Sequence, residues 1–336
     1  MFFKKTEYMS KIPNLMKRQQ IIKAMRAFFD GRGYWEVETP ILQISPTMDT
    51  HIHAFKTAYK DVSLSEKQAL YLHTSPEFGM KKLLSAGCAR IYQICHVFRN
   101  TDNTKQHSPE FTMIEWYNVG LSYEGLMDET CALVEHCSAA IDDPHIDFSK
   151  GWKRISVREC FEQYADIDLD AYLHDLDGFK AAVKAKGLHV AADDGWDDVF
   201  HRVMLEYVEP HLGHDLPTIL HDYPACMAAL ARLKPDNAEY AERFEVYIDG
   251  VELANGFGEL TDAKEQRRRF VHEMDEKQRI YGERYPVDDN FIAALEQGLP
   301  FCSGIALGVD RLIMLLTGAQ HIHDVLWHPV DVPDMD

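Results

Sequence analysis

The 336-residue chain lacks the spacings of the common nucleotide and metal sites. It contains no GxxxxGK[ST] phosphate loop and no GxGxxG dinucleotide turn, so any phosphate contact must come from scattered side chains and backbone. Its seven cysteines form no CxxC pair, and an odd, unpatterned count fits a reducing compartment rather than a disulfide framework. Basic residues are scarce: 35 Lys and Arg stand against 54 Asp and Glu, a formal net charge of -19. Without a long Lys/Arg run to override it, that balance opposes a large nucleic-acid footprint. No apolar run is long enough to span a bilayer, and the opening MFFKKTEYMSK has no signal-cleavage pattern. These features lead to the expectation of a cytoplasmic protein without membrane attachment. There is no repeat and no low-complexity tract. No Ser–His–Asp arrangement or reactive-cysteine pattern stands out. The pairs and triplets His51/His53, His211/His214 and His321/His323/His328 match no zinc spacing with cysteines.

With 46% hydrophobic residues, the chain can bury a sizeable core. Helix-period and strand-period segments are mixed, which predicts an α+β or α/β class. Residues 15–29 read as an amphipathic helix stopped by Gly31 and Gly33. Residues 34–39 read as a strand ending at Pro40, 44–58 as a mobile loop with a short strand, and 69–73 as another strand. Residues 75–87 form a predicted helix with Ser75 as N-cap and Pro76 in its first position. Strands at 89–98 and 110–117 enclose a polar loop at 99–109, and a long helix follows at 123–140. A short strand at 152–157 leads into a mainly helical insertion near 160–221. Strands return at 218–221, 243–248 and 251–257, then a charged helix at 262–281 and a closing strand and helix within 301–316.

Two segments carry most of the chemistry. FRNTDNTKQHSPEFTMIEWY, residues 98–117, places Arg99 before a polar turn and an acid-bearing apolar strand. SGIALGVDRLIML, residues 303–315, places Arg311 at a strand-to-helix junction where Gly304 and Gly308 permit close backbone approach. Two arginines held by ordered backbone suit a bound polyphosphate: Arg99 at an α-phosphate, where it can take developing charge, and Arg311 at the terminal phosphates. Glu245 and Glu252 flank the Asp249–Gly250 turn, and a hairpin can bring two such carboxylates to Mg2+. Asn255, Phe257 and Glu259 share strand parity and offer an amide, a ring and an anion. A pocket-facing acid is costly unless paired, and an ammonium group is its natural partner. Taken alone, each feature has an ordinary alternative: solvated strand acids, a surface salt bridge, glycines that merely pack. Together they point to an ATP-using enzyme that activates a carboxylate.

In their order, these motifs resemble the catalytic core of class II aminoacyl-tRNA synthetases, most closely the lysyl branch. YWEVETPIL is similar to the first class motif, FRN…HSPEFTMIEWY to the second and GIALGVDRLIML to the third. FEVYIDGVELANGFGELTDAKEQRRRF resembles the lysyl-specific segment between them. The resemblance implies one catalytic domain over 1–336, an antiparallel sheet flanked by helices, and a homodimer formed through the first motif, including Pro40. It implies that Arg99 meets the α-phosphate, that Asp102 and His107 lie in the loop covering ATP, and that Phe111 stacks on adenine. Arg311 would sit on the γ-phosphate side, with Asn100 and Gly308 completing the ATP contacts. Glu245 and Glu252 match metal-binding carboxylates, and Glu77, Glu115, Tyr117, Asn255, Phe257 and Glu259 match the lysine pocket. Two positions depart from the lysyl pattern. Ser75 replaces a common alanine and Ala306 replaces glycine, changes of about a hydroxyl or a methyl in the substrate pocket.

Because the resemblance starts almost at once, the expectation is a chain without an N-terminal OB-fold domain that reads an anticodon. This combination is similar to the truncated bacterial paralogues of lysyl-tRNA synthetase that modify translation elongation factor P. It implies ATP-dependent, AMP-forming activation of (R)-β-lysine and transfer to a lysine ε-amine. Alternatives are charging of tRNA with lysine, an inactive synthetase-like binding protein, and release of a free small-molecule amide.

Overall fold

The computed structural model describes residues 5–100 and 103–330. The strands are β1 (Trp35–Glu36), β2 (Leu42–Gln43), β3 (Lys56–Lys60), β4 (Glu66–Leu72), β5 (Arg90–Phe98), β6 (Glu110–Val119), β7 (Lys153–Ser156), β8 (Thr218–Pro224), β9 (Tyr240–Ile248), β10 (Val251–Gly258) and β11 (Cys302–Gly308). The helices are α1 (Lys5–Asp30), α2 (Glu77–Ser85), α3 (Tyr123–Ser138), α4 (Val157–Cys160), α5 (Leu176–Ala185), α6 (Trp196–Val203), α7 (Ala263–Tyr281), α8 (Asp289–Gly298) and α9 (Val309–Thr317). This is an α+β protein. The chain divides into two compact units, 1–146 with 261–336, and 147–260.

The first unit is built on the strand order β1-β5-β6-β11, in which only β1 pairs in parallel. Helix α1 lays Phe29 against this sheet, stacked on Tyr92 at 4.8 Å and tilted on Trp116 at 5.2 Å. The helix begins well before the expected residue 15 and runs through Pro13, a start that the apolar periodicity does not mark. Earlier in the same helix, Arg18 reaches the far end of the sheet. Its guanidinium pairs with buried Asp310 and donates to Thr112 Oγ1 at 2.8 Å, while Thr112 N–H donates to Asp310 Oδ2 at 2.7 Å. This buried network fixes the entry to α9 immediately before Arg311.

The strand expected at 34–39 is shorter: β1 keeps only two residues, and Pro40 beyond it is exposed. Residues 44–58, expected as a mobile loop with a short strand, include the start of β3 at Lys56. Ser45, Met48, Thr50 and Ala54 are buried, and β2, β4 and β3 make a small antiparallel sheet. Lys277 of α7 is fully buried against this segment, and its Nζ donates to the carbonyls of Thr50 and Ile52, each at 2.9 Å. The next carbonyl along, of His53, accepts the Asn100 N–H at 2.8 Å, so this segment also steadies the backbone beside Arg99.

In the second unit the strand order is β10-β9-β8-β7. The turn that follows α4 and helix α6 bury an aromatic group in which Phe161 stacks on Phe200 at 5.0 Å and Trp196 on Phe200 at 5.4 Å. The β9–β10 hairpin turns through Asp249 and Gly250, both at positive φ (50° and 72°), the two-residue turn that matches strand twist. Its register is regular except for a bulge between Glu252 and Ala254.

Candidate active site

In the first unit a row of residues crosses three strands: Gln93 of β5 lies opposite Glu115 of β6, and Glu115 lies opposite Ala306 of β11. Opposed residues share a face. Glu115 is fully buried, and hydroxyls brace both its oxygens: Ser75 Oγ donates to Oε1 at 2.5 Å and Tyr117 Oη to Oε2 at 2.9 Å. Ser75 is not the N-cap of α2, which is Pro76. Its oxygen does accept the Glu77 N–H at 3.0 Å, and its own proton is thereby left for Glu115. Glu77 in turn pairs with fully buried Lys81 one helical turn on, at 2.5 Å. Burial, then the nearby Glu77 carboxylate, pushes the Glu115 carboxyl up to about 8; the two hydroxyls and Lys81 pull the other way. An arriving ammonium group would reverse that balance and ionise it.

The nucleotide-type residues gather elsewhere in the same unit. Phe111 lies on the Glu115 face of β6, and the Arg99 guanidinium sits 5.4 Å from its ring centroid. Arg311, at the start of α9, reaches His107 Nε2 at 2.7 Å. An arginine can only donate, so His107 accepts at Nε2 and carries its proton on Nδ1, facing Thr104 Oγ1 at 2.8 Å. Burial, then Arg311 and Arg99, lowers the His107 pKa and keeps the ring neutral. Gly308 caps α9 without a side chain. Asn100 is exposed. Asp102 lies outside the described residues.

In the second unit, Glu245 is opposite Asn255, Arg243 opposite Phe257, and Tyr247 opposite Glu252. Simple alternation would put Glu252 and Asn255, three residues apart, on opposite faces. The bulge at Leu253 restores them to one face with Glu245. Glu245 is 7% exposed and tightly oriented. Arg243 Nη2 donates to its Oε1 at 2.8 Å and Tyr247 Oη to its Oε2 at 2.8 Å, with Asn255 Nδ2 at 3.4 Å from Oε1. Phe257 packs on Ala228, Ala231 and Ala241, and Glu259 is fully buried.

Among the described residues no cluster of three or more His, Cys, Asp or Glu side chains could cage a metal. Two carboxylates on one hairpin face instead suit Mg2+ held largely by phosphate oxygens and water. Sequence reasoning did not single out Arg243, Tyr247, Lys81 or Gln93. The first two share strand parity with Glu245 and Lys81 follows Glu77 by four, so those signals were present in the spacing. Gln93 emerges only from the strand register.

Comparison with known proteins adds an independent line. The family described as tRNA synthetases class II (D, K and N) matches residues 5–332. The chain is 42% identical over 325 residues to the elongation factor P–(R)-β-lysine ligase of Proteus mirabilis (strain HI4320), covering 95% of each chain. It is 41% identical over 326 residues to the protein of the same name from Klebsiella pneumoniae (strain 342), covering 95% of this chain and 96% of that one. The Salmonella paratyphi B protein of that name is 40% identical over 327 residues, with the same coverage.

Proposed function

Since the chain belongs to the class II tRNA synthetase family of the D, K and N type, we propose that it activates (R)-β-lysine with ATP and transfers it to elongation factor P. The observation that carries this reading is Glu115: a buried, hydroxyl-braced carboxylate on the sheet face that also presents Phe111. Such a group is suited to an ammonium substrate. Relatives over nearly the whole chain bear the corresponding name.

In the first step the β-lysine carboxylate attacks the α-phosphorus of ATP and pyrophosphate leaves in line. Arg99 takes up charge on the α-phosphoryl oxygens, Arg311 holds the terminal phosphates and Phe111 stacks on adenine. Glu245 and Glu252 are the residues that would hold Mg2+, which supplies charge neutralisation on the phosphates. Glu77, Glu115 and Tyr117 orient the substrate amines, and Asn255, Phe257 and Glu259 complete the set of substrate-binding groups. In the second step the neutral ε-amine of a lysine on the factor attacks the adenylate carbonyl carbon. An amide forms, AMP leaves, and the incoming amine must already have lost its proton. Action on a translation factor supports a cytoplasmic location. Among the described residues no helix is long and apolar enough to cross a membrane.

ATP–pyrophosphate exchange tests the first step. Exchange is expected to depend on (R)-β-lysine with a clear preference over α-lysine, and adding elongation factor P should discharge the adenylate and increase the factor's mass. Preference for α-lysine with charging of tRNA(Lys) would instead make the chain a conventional synthetase. No exchange with any of these substrates would leave a binding protein.

We also infer a homodimer. Trp35 is 65% exposed, and Leu42, Ile41 and Ile44 are exposed around Pro40. Such a concentration of apolar surface marks an interaction site. Sedimentation should give a dimer, and Trp35→Asp should shift it toward monomer; a monomeric wild-type protein would refute this.

A further inference from the structure

We propose that Gln93 is a substrate-recognition residue, its side-chain carbonyl accepting a hydrogen bond from the ammonium group that Glu115 binds. The inference rests on the amine-substrate reading above. Gln93 is 3% exposed and lies directly opposite Glu115 in the strand register. Its amide nitrogen interacts with the Cys95 thiol on the same face of β5. Its Oε1 has no hydrogen-bond partner among the described residues. A buried acceptor left unmade destabilises the folded protein, and native interiors rarely keep one without a use.

The chemistry of the neighbouring acid supplies that use. An ammonium group carries three N–H donors. Glu115 can neutralise its charge, but both carboxylate oxygens already accept hydroxyl protons from Ser75 and Tyr117. Glu77 is engaged by Lys81. A further carboxylate in this row would add an uncompensated buried charge, whereas an amide carbonyl satisfies a donor and adds none. Ala306 closes the other side of the row with only a methyl group.

The test is Gln93→Met, which keeps length and volume and removes the acceptor together with the amide donor to Cys95. The Kd for (R)-β-lysine, measured by calorimetry without ATP, is expected to rise about tenfold or more. The KM for ATP should stay within about twofold, and the melting temperature of the ligand-free variant should change little, because the unsatisfied carbonyl and the Cys95 contact are lost together. An unchanged β-lysine Kd overturns the inference. So does a variant that fails to fold, which would give the amide a structural role. Wild-type protein run in parallel separates the two readings: if it does not bind β-lysine, the functional proposal fails, not the role of Gln93.

Discussion

Glu115→Gln is expected to raise the Kd for (R)-β-lysine by about 10²–10³-fold, the usual consequence of removing one partner from a buried, hydrogen-bonded charge pair. The same substitution should stabilise the ligand-free protein at alkaline pH. The folded pKa of Glu115 is about 8, against about 4.3 for an unfolded glutamate. The native state therefore holds a proton that the unfolded state has released between those values. Stability from this group is fully present below about pH 4.3 and is lost as pH rises toward 8. Glutamine cannot ionise, so the variant escapes that loss. Thermal melts should coincide near pH 4 and separate in favour of the variant at pH 8 to 9. A variant that is less stable than wild type at pH 9 would contradict the assignment.

The same coupling has a calorimetric signature. At pH 7 the carboxyl is largely protonated, and it must ionise to meet an ammonium ion. Binding of (R)-β-lysine to the wild type should release a proton, so its apparent enthalpy should vary with the ionisation enthalpy of the buffer. In Glu115→Gln that variation should disappear.

Arg99→Met should lower kcat for ATP–pyrophosphate exchange by about 10²–10³-fold, the scale seen when one fixed donor to a developing oxyanion is removed. The Kd for (R)-β-lysine should stay within about twofold, because the Ser75–Glu115–Tyr117 bonds do not involve Arg99. Arg99→Lys should recover only part of the rate: it restores charge without the planar fork that can hold two oxygens. Should KM for ATP rise with kcat unchanged, Arg99 would be a ground-state nucleotide ligand and its proposed part in the transition state would be wrong.

These expectations draw unequally on sequence and on three-dimensional structure. The Glu77–Lys81 pair is legible as an i, i+4 spacing, and the Asp249–Gly250 turn as a dipeptide that tolerates positive φ. Both are local, so neighbouring residues suffice to specify them. The opposite holds for residues 44–58, expected as a mobile loop with a short strand. The Thr50 and Ile52 carbonyls meet Lys277, more than two hundred residues away, which no local pattern connects to them.

By itself, the sequence determined the chemical inventory: the arginines at two turns, the acids on alternating strands and the order of motifs that marks the family. Strand period also brought Asn255 and Phe257 to one face. Tertiary structure alone decided which acids share a face and what each one meets. The bulge at Leu253 turns Asn255 to the side of Glu245 and Glu252, against simple alternation. The register of β5 on β6 sets Gln93 beside Glu115. The Arg18–Asp310–Thr112 network joins the first helix to the last motif. The last two depend on backbone pairing or burial between distant segments, where a shift of one residue would exchange the faces.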